Sequence, residues 1–343
     1  KAEKVVLGLL SPSGFRMPSQ LVVLLSGAMC VLSQSSEATD QGDPTQLDTQ
    51  NSVISLIVDT GRSTAALLAD DLRAVLAIDF KTRFRPVIGD GDVDNLNEML
   101  RTKDLDLGIV QIDVLNYYNE TGLFPENGQE VSYISQMHKE EFHLLANASI
   151  ESLQELQGKR VNLGPIGGGT YLSAINLFAL HDLEFIATQH PHQEALPLLK
   201  EGNIDAMVVV DGKPSEYVRD ATLDDGIRLL ALPSDKLPPN HEQGKFESTD
   251  YPQLLAPGDE LATVAVPNVL ITIEGSGATA SNELLDGFVA SFLSALTSLR
   301  SQASSHPKWR EVHPWKQLDG DWHRHPAVPA HLSPIKFFDS QSD

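Results

Sequence analysis

The stretch Leu153–Thr170, LQELQGKRVNLGPIGGGT, decides how the rest of the chain is read. It runs from a helix end through a turn into a short apolar strand, then into a glycine loop that opens a new helix. Such a loop leaves several backbone N–H groups without intrahelical partners and aims them at one spot, where the positive end of the helix dipole adds to them. Upstream, Asp104–Asp113 (DLDLGIVQID) reads as a second strand ending in polar residues. Two strands that end in polar or glycine-rich loops predict two α/β lobes facing a shared cleft, an arrangement suited to holding a small molecule.

Toward the N-terminus, Ser52–Val58 (SVISLIV) is a β-branched run that reads as a buried strand. It ends at Asp59–Thr64 (DTGRST), and Ala65–Leu76 follows with helical spacing of apolar residues. Thr82–Val87 reads as a strand, Asp94–Thr102 as a short helix and Leu105–Gln111 as a third strand. This βαβαβ rhythm predicts a parallel sheet with ligand contacts at the strand C-termini. Val131–Met137 and Glu141–Ala146 read as two further strands, Ile150–Leu156 as a helix capped by Ser149, and Val161–Leu163 as a strand. Helices are expected at Tyr171–Leu180 and Ala195–Glu201, and buried strands at Ala206–Val210 (AMVVV) and Arg228–Leu232. Pro233–Pro257 reads as an extended connector, Thr263–Ile273 as a long strand returning to the first lobe, and Asn282–Ser301 as an amphipathic helix. The expected division is lobe 1 over 52–146 plus 263–301, lobe 2 over 147–262, and a tail, 302–343, packing on the lobes.

The chain has 343 residues, with 25 basic against 47 acidic side chains and a net charge of −22. That balance repels DNA, RNA and anionic lipid, so a nucleic-acid partner is not expected. Cys30 is the only cysteine, which excludes an internal disulfide and a cysteine-built zinc site. Leu21–Leu32 (LVVLLSGAMCVL) is too short to span a membrane. With Ser36 and Ala38 at −3 and −1 of a cleavage point, it reads as a signal peptide over residues 1–38, followed by a polar linker over 39–51. An uncut anchor, a start at Met17 and lipidation at Cys30 are the alternatives. The histidine pairs His190/His192 and His323/His325 are spaced by two in loop-like sequence, unlike metal ligands on a helix, and no metal or cofactor is expected. G-x-S-x-G, H-E-x-x-H and P-loop motifs are absent, and no acid–base pair stands out, so the chain is not read as an enzyme.

Gly89–Leu100 (GDGDVDNLNEML), Leu105–Asp113, Ile150–Thr170, Leu198–Val210, Ala265–Ile273 and His331–Phe338 occur in an order that resembles the TAXI family, the extracytoplasmic solute-binding subunits of TRAP transporters. The resemblance implies a two-lobe α/β fold like the type II periplasmic binding proteins, each lobe a mainly parallel sheet flanked by helices and joined by crossing strands. It implies a secreted, periplasmic receptor that captures a small carboxylate or amino acid by hinge closure and delivers it to membrane subunits. The chain departs from the family in two places. Thr60–Leu67 lacks the usual tyrosines and carries an arginine, and Leu332-Ser333 replaces a Pro-Gly. A sensing module of a signalling receptor and a cofactor-biosynthesis enzyme on the same fold are the rival functions.

The candidate site residues follow from strand ends and helix starts. Gly167, Gly168, Gly169 and Thr170 would offer backbone N–H groups and a hydroxyl to a carboxylate, or form only a capped turn. Gln111 can donate and accept, while Asp113 either caps a helix or meets a ligand ammonium. Ser63 and Thr64 begin a helix at the first strand end, and Asp92 and Asn95 stand at the second. Asp211 and Gly212 follow AMVVV. Arg62 either clamps a carboxylate bidentately or faces solvent.

Overall fold

The computed structural model describes residues 53–77, 83–125, 130–233, 235–274 and 280–328. The expected signal peptide and linker, His331 and the His331–Phe338 part of the resemblance lie outside the described residues. The chain begins with β1 (Ile54–Val58), α1 (Thr64–Val75), β2 (Phe84–Ile88), α2 (Asp92–Arg101), β3 (Leu107–Gln111) and α3 (Ile112–Thr121). β1 pairs in parallel with both β2 and β3, as the βαβαβ pattern requires. The long strand β4 (Glu130–Asn147) follows, then β5 (Arg160–Asn162), α4 (Gly169–Leu180), β6 (Ile186–Thr188), α5 (His192–Lys200), β7 (Ala206–Asp211) and β8 (Ile227–Leu229). β9 (Glu242–Glu247), the long β10 (Glu260–Glu274), α6 (Asn282–Ser301) and the short β11 (His323–Arg324) complete the order.

One continuous sheet carries these strands in the order β2-β1-β3-β10-β4-β7-β5-β6. Its two ends are parallel, β2-β1-β3 on one side and β7-β5-β6 on the other. β4 and β10 run antiparallel to each other between them. Each changes partner along its length. β10 pairs first with β9 and then, from Asn268, with β3. β4 pairs with β10 from Glu130 to Glu141 and with β7 and β8 from Glu141 to Asn147. This is the expected two-lobe α/β architecture with two crossing strands, and it leaves the C-terminal ends of β1, β2 and β3 facing the start of α4 and the end of β7.

Three local expectations are corrected. The two strands expected at 131–137 and 141–146 are one 18-residue strand. The polar His138-Lys139-Glu140 broke the apolar pattern at the point where the strand changes lobes. The helix expected at 150–156 is a single 3-10 turn, Leu153–Leu156. Ser149 bonds Asn147 Oδ1 instead of capping, and Gly158, at φ +72°, turns the chain at once. The segment expected as a connector contains β9, a polar strand formed by pairing with β10 rather than by local propensity.

α6 lies against α1 and the β1 side. Its buried Leu285, Phe288, Val289, Phe292, Leu296 and Leu299 recur at helical spacing, and Phe288 stacks between Phe84 and Phe292. Ser281 caps its N-terminus. Trp309 is fully buried in the same layer, and its indole N–H donates to Asp71 at 3.0 Å. Trp309→Phe keeps most of the packing and removes this bond. We expect a loss of about 1–2 kcal/mol, read as a lower urea midpoint with an unchanged slope. Among the described residues no helix is long and apolar enough to cross a membrane.

Candidate functional site

The two sides of the sheet meet along a seam built from strand C-termini. After β1, Thr60 Oγ1 lies 2.5 Å from the Tyr217 hydroxyl. Thr64 donates its backbone N–H to Asp211 Oδ1 at 2.9 Å and its hydroxyl to the Gly212 carbonyl at 3.2 Å. Ser63 caps α1 by accepting from Ala66 N at 3.2 Å. After β2, Val93 N–H donates to the Gly167 carbonyl at 3.1 Å. At the end of β3, Gln111 donates to Glu140 Oε2 at 2.5 Å and accepts from the Ser173 hydroxyl at 3.0 Å. Hydrogen bonds therefore run across the seam from one side of the sheet to the other.

The glycine loop sits at this seam. A methyl group on Gly169 would lie 2.4 Å from Asp92 Oδ2 and 2.5 Å from Gln111 Oε1, and one on Gly91 would lie 2.6 Å from the Gly167 carbonyl oxygen. At Gly91 the opposing atom is backbone, and there only glycine lets the two segments approach this closely. The N-terminus of α4, expected to face a guest's carboxylate, here faces the protein's own Asp92. Gly168 N–H closes a turn onto the Pro165 carbonyl, and the Thr170 hydroxyl is committed to β7, accepting from Val210 N–H at 3.1 Å.

The remaining candidates separate. Asp113 is buried but lies behind the seam, accepting from Ser173 at 2.6 Å with His241 Nε2 3.3 Å away. It lines a cavity of about 260 Å³ between α3 and α4. Asn95 is buried, folded over Gly89, and its Nδ2 has no partner. Arg62 is half exposed and turned toward the opposite side, 3.6 Å from Glu216 and over the Tyr217 ring. It borders an open cavity of about 400 Å³ lined also by His192, Leu196, Lys200, Tyr217 and Asp220.

Sequence reading named two of the acids that dominate the seam's electrostatics, Asp92 and Asp211, and missed the other two, Asp59 and Glu140. Burial, then Glu140 and Asp211, raise Asp59; burial, then Asp59 and Glu140, raise Asp92. Burial raises Glu140 against the opposing bond from Gln111, and burial with Glu140 raises Asp211. Lys308 bears on Glu140, but its ammonium is held by Glu141 at 2.6 Å and Glu311 at 2.9 Å. His138 is wholly buried beside Glu140, Nε2 to Oε1 3.4 Å, with neither ring nitrogen hydrogen-bonded. Burial and Lys308 push it down to about 4, so it is neutral near pH 7. The signal for Glu140 was present as a charged residue inside an otherwise apolar strand pattern, and Asp59 was visible as a strand-end acid.

In a protein that opens and closes at this seam, these shifts would make closure pH-dependent. A carboxyl whose pKa is higher closed than open binds more protons closed. Its contribution to closure is complete below the ordinary carboxylate pKa and is lost as pH rises through about 6 to 7. Small-angle scattering of the ligand-free protein should show a compact particle at pH 5 and a larger one at pH 8; equal dimensions at both would contradict the coupling.

A family model described as the NMT1-like family matches residues 73–332. The chain belongs to the NMT1-like family. Among solved structures it is similar to a ligand-binding component of an ABC-type import system from Staphylococcus aureus. That match has TM-score 0.49 and 13% identity, and covers 78% of this chain and 80% of that one. It is also similar to the alkanesulfonate-binding protein SsuA from Xanthomonas axonopodis pv. citri, with TM-score 0.47, 16% identity and coverage of 82% and 83%. A third is the aliphatic sulphonate binding protein SsuA from Escherichia coli, with TM-score 0.43, 18% identity and coverage of 72% and 70%. At scores below 0.5, what those proteins bind says nothing about what this chain binds.

Proposed function

We propose that this chain is an extracytoplasmic solute-binding receptor in which residues 52–146 plus 263–301 and residues 147–262 close on a small polar guest about β4 and β10. The observation that carries the reading is the seam itself. Strand ends and helix starts from both sides supply buried polar groups to one plane, above two strands that serve both sides. A guest seated there would bind the closed state better than the open one and shift the equilibrium by that difference. The seam's side chains are engaged with one another rather than set as nucleophile and base, which supports capture over turnover. The resemblance to TAXI proteins supports the finer reading: a periplasmic receptor that hands its solute to the membrane subunits of a TRAP-type transporter. It makes a carboxylate or an amino acid the expected guest.

The test is a thermal-shift and scattering screen of the purified protein against carboxylates, amino acids, amines and sugars. A true solute should raise Tm and shrink the particle together. At a hundredfold excess over Kd it adds about 2.7 kcal/mol to stability. A screen in which nothing does both would count against the receptor.

A further inference from the structure

Two helices start at the seam, α1 on one side and α4 on the other, and each start is met by a carboxyl from across it. Ser63 caps α1 by accepting from Ala66 N–H, which leaves the first helical N–H, that of Thr64, for another partner. That partner is Asp211, the last residue of β7, whose Oδ1 accepts from Thr64 N–H at 2.9 Å. The two residues are 147 positions apart in the chain, and both are buried. The Thr64 hydroxyl adds a bond to the Gly212 carbonyl. Reciprocally, Asp92 in the first turn of α2 lies against Gly169 at the start of α4, where a methyl group would stand 2.4 Å from Oδ2. A helix N-terminus favours a carboxyl group. Both places that a guest's carboxylate could take are therefore filled by the protein itself.

Asp211 is aimed by its own side of the seam. Its Oδ1 also accepts from Gly212 N–H at 2.9 Å, and its Oδ2 accepts from the Ser215 hydroxyl at 2.7 Å. Ser215 N–H donates to the Tyr251 hydroxyl at 2.7 Å, and that hydroxyl lies 2.5 Å from His143 Nε2. His143 Nδ1 lies 3.2 Å from the Val209 carbonyl, which can only accept. Nδ1 therefore carries the proton, and Nε2 accepts from Tyr251. Asp211, Ser215, Tyr251 and His143 are all buried. These bonds lie within the β7 side and orient the carboxyl whether or not α1 is against it.

We propose that Asp211 is an autoinhibitory latch: in the empty protein it fills the carboxyl place at the start of α1, holds the two sides together, and must give way before a guest's carboxylate can sit there. This rests on the solute-receptor reading above. A guest that competes with a tethered group has its affinity reduced by the fraction of molecules in which the place is free. Removing the tethered group should therefore loosen the empty protein and tighten carboxylate binding together. An ordinary structural bond predicts only the loosening.

The test is small-angle scattering and calorimetry of the full chain at pH 5, with formate as the probe and chloride at equal ionic strength as the control. At that pH the neighbouring Asp59 and Glu140, raised to about 7, are neutral and do not repel the probe. The wild type should be compact and unchanged by formate. Asp211→Ala should scatter as the larger particle, return to wild-type dimensions in formate, and bind formate roughly tenfold more tightly than the wild type does. Should Asp211→Ala lose its circular dichroism, Asp211→Ser, too short to reach α1, gives the same reading. Thr64→Pro removes the donor instead, at a helix position where proline is favoured. It should be larger with or without formate. An Asp211→Ala or Thr64→Pro particle as compact as the wild type would overturn the latch. So would an open Asp211→Ala that ignores formate, or formate rescue of Thr64→Pro. Each of these leaves the receptor reading to its solute screen. Unchanged dimensions in every variant and with every solute of that screen would overturn both.

Discussion

Gly91→Ala should hold the two sides of the protein apart. Gly91 has φ +145°, and a methyl group there would lie 2.6 Å from the Gly167 carbonyl oxygen and 2.9 Å from Gly168 Cα. Both are backbone atoms of the opposite side, so neither can turn away as a side-chain tip could. Closure would also lose the Val93–Gly167 hydrogen bond. The backbone strain of an L-residue in this glycine-only region, about 1–3 kcal/mol, acts in both open and closed forms. The collision acts only in the closed form. Overpacking of about 1–3 kcal/mol and the lost hydrogen bond of about 1 kcal/mol act together against the closed form, a shift of roughly a hundredfold in the balance. We expect the ligand-free variant at pH 5 to scatter as the larger, open particle and to bind any solute roughly a hundredfold more weakly. Gly158→Ala is the control, because Gly158 also has positive φ but nothing within 4 Å. It should cost stability without opening the seam. A Gly91→Ala particle as compact as the wild type would show that these loops do not meet when the protein closes.

The second large effect concerns Lys308. Its side chain is 2% exposed, and its ammonium bonds Glu141 at 2.6 Å and Glu311 at 2.9 and 3.0 Å. Glu141 also accepts from Lys213 N–H, and Glu311 from Lys139 N–H. The network ties the turn at Pro307–Glu311 to β4 at its change of partner and to the loop after β7. Burial pushes Glu141 up to about 7, which favours a neutral acid, whereas Glu141 and Glu311 overcome burial and raise Lys308. The 2.6 Å contact and the extra donor on Glu141 favour the ionised pair. Lys308→Met would leave Glu141 buried without its cation, at a cost of about 3–5 kcal/mol. The loss should appear as a lower guanidinium midpoint. It should grow as pH rises above the ordinary glutamate value, because the folded form then holds a proton that the unfolded form has released. Adding Glu141→Gln should recover much of it. A loss below 1 kcal/mol, independent of pH, would mean that water reaches Glu141.

The elements were largely legible because their signals are local. The α6 heptad-like spacing, the β-branched run of β1 and the apolar AMVVV of β7 each announce their own structure within a few residues, and the glycine loop announces the start of α4. β9 was not legible, since its polar residues become a strand only by pairing with β10. Several candidate residues do meet at the seam, among them Thr64, Asp92, Gln111, Gly169 and Asp211. Strand ends point to one side of a parallel sheet, and that rule works from sequence alone.

The chain alone therefore settled the alternation of strands and helices, the glycine-built close approach and the strand-end position of most polar candidates, because periodicity and backbone freedom belong to short segments. Tertiary structure alone decided that Asp92 faces the α4 terminus, that Arg62 lies on Tyr217, and that Asp59, Glu140 and Asp211 share one seam. Charge–charge interaction depends on distance in space and on exclusion of water, and neither is written in the spacing of residues so far apart along the chain.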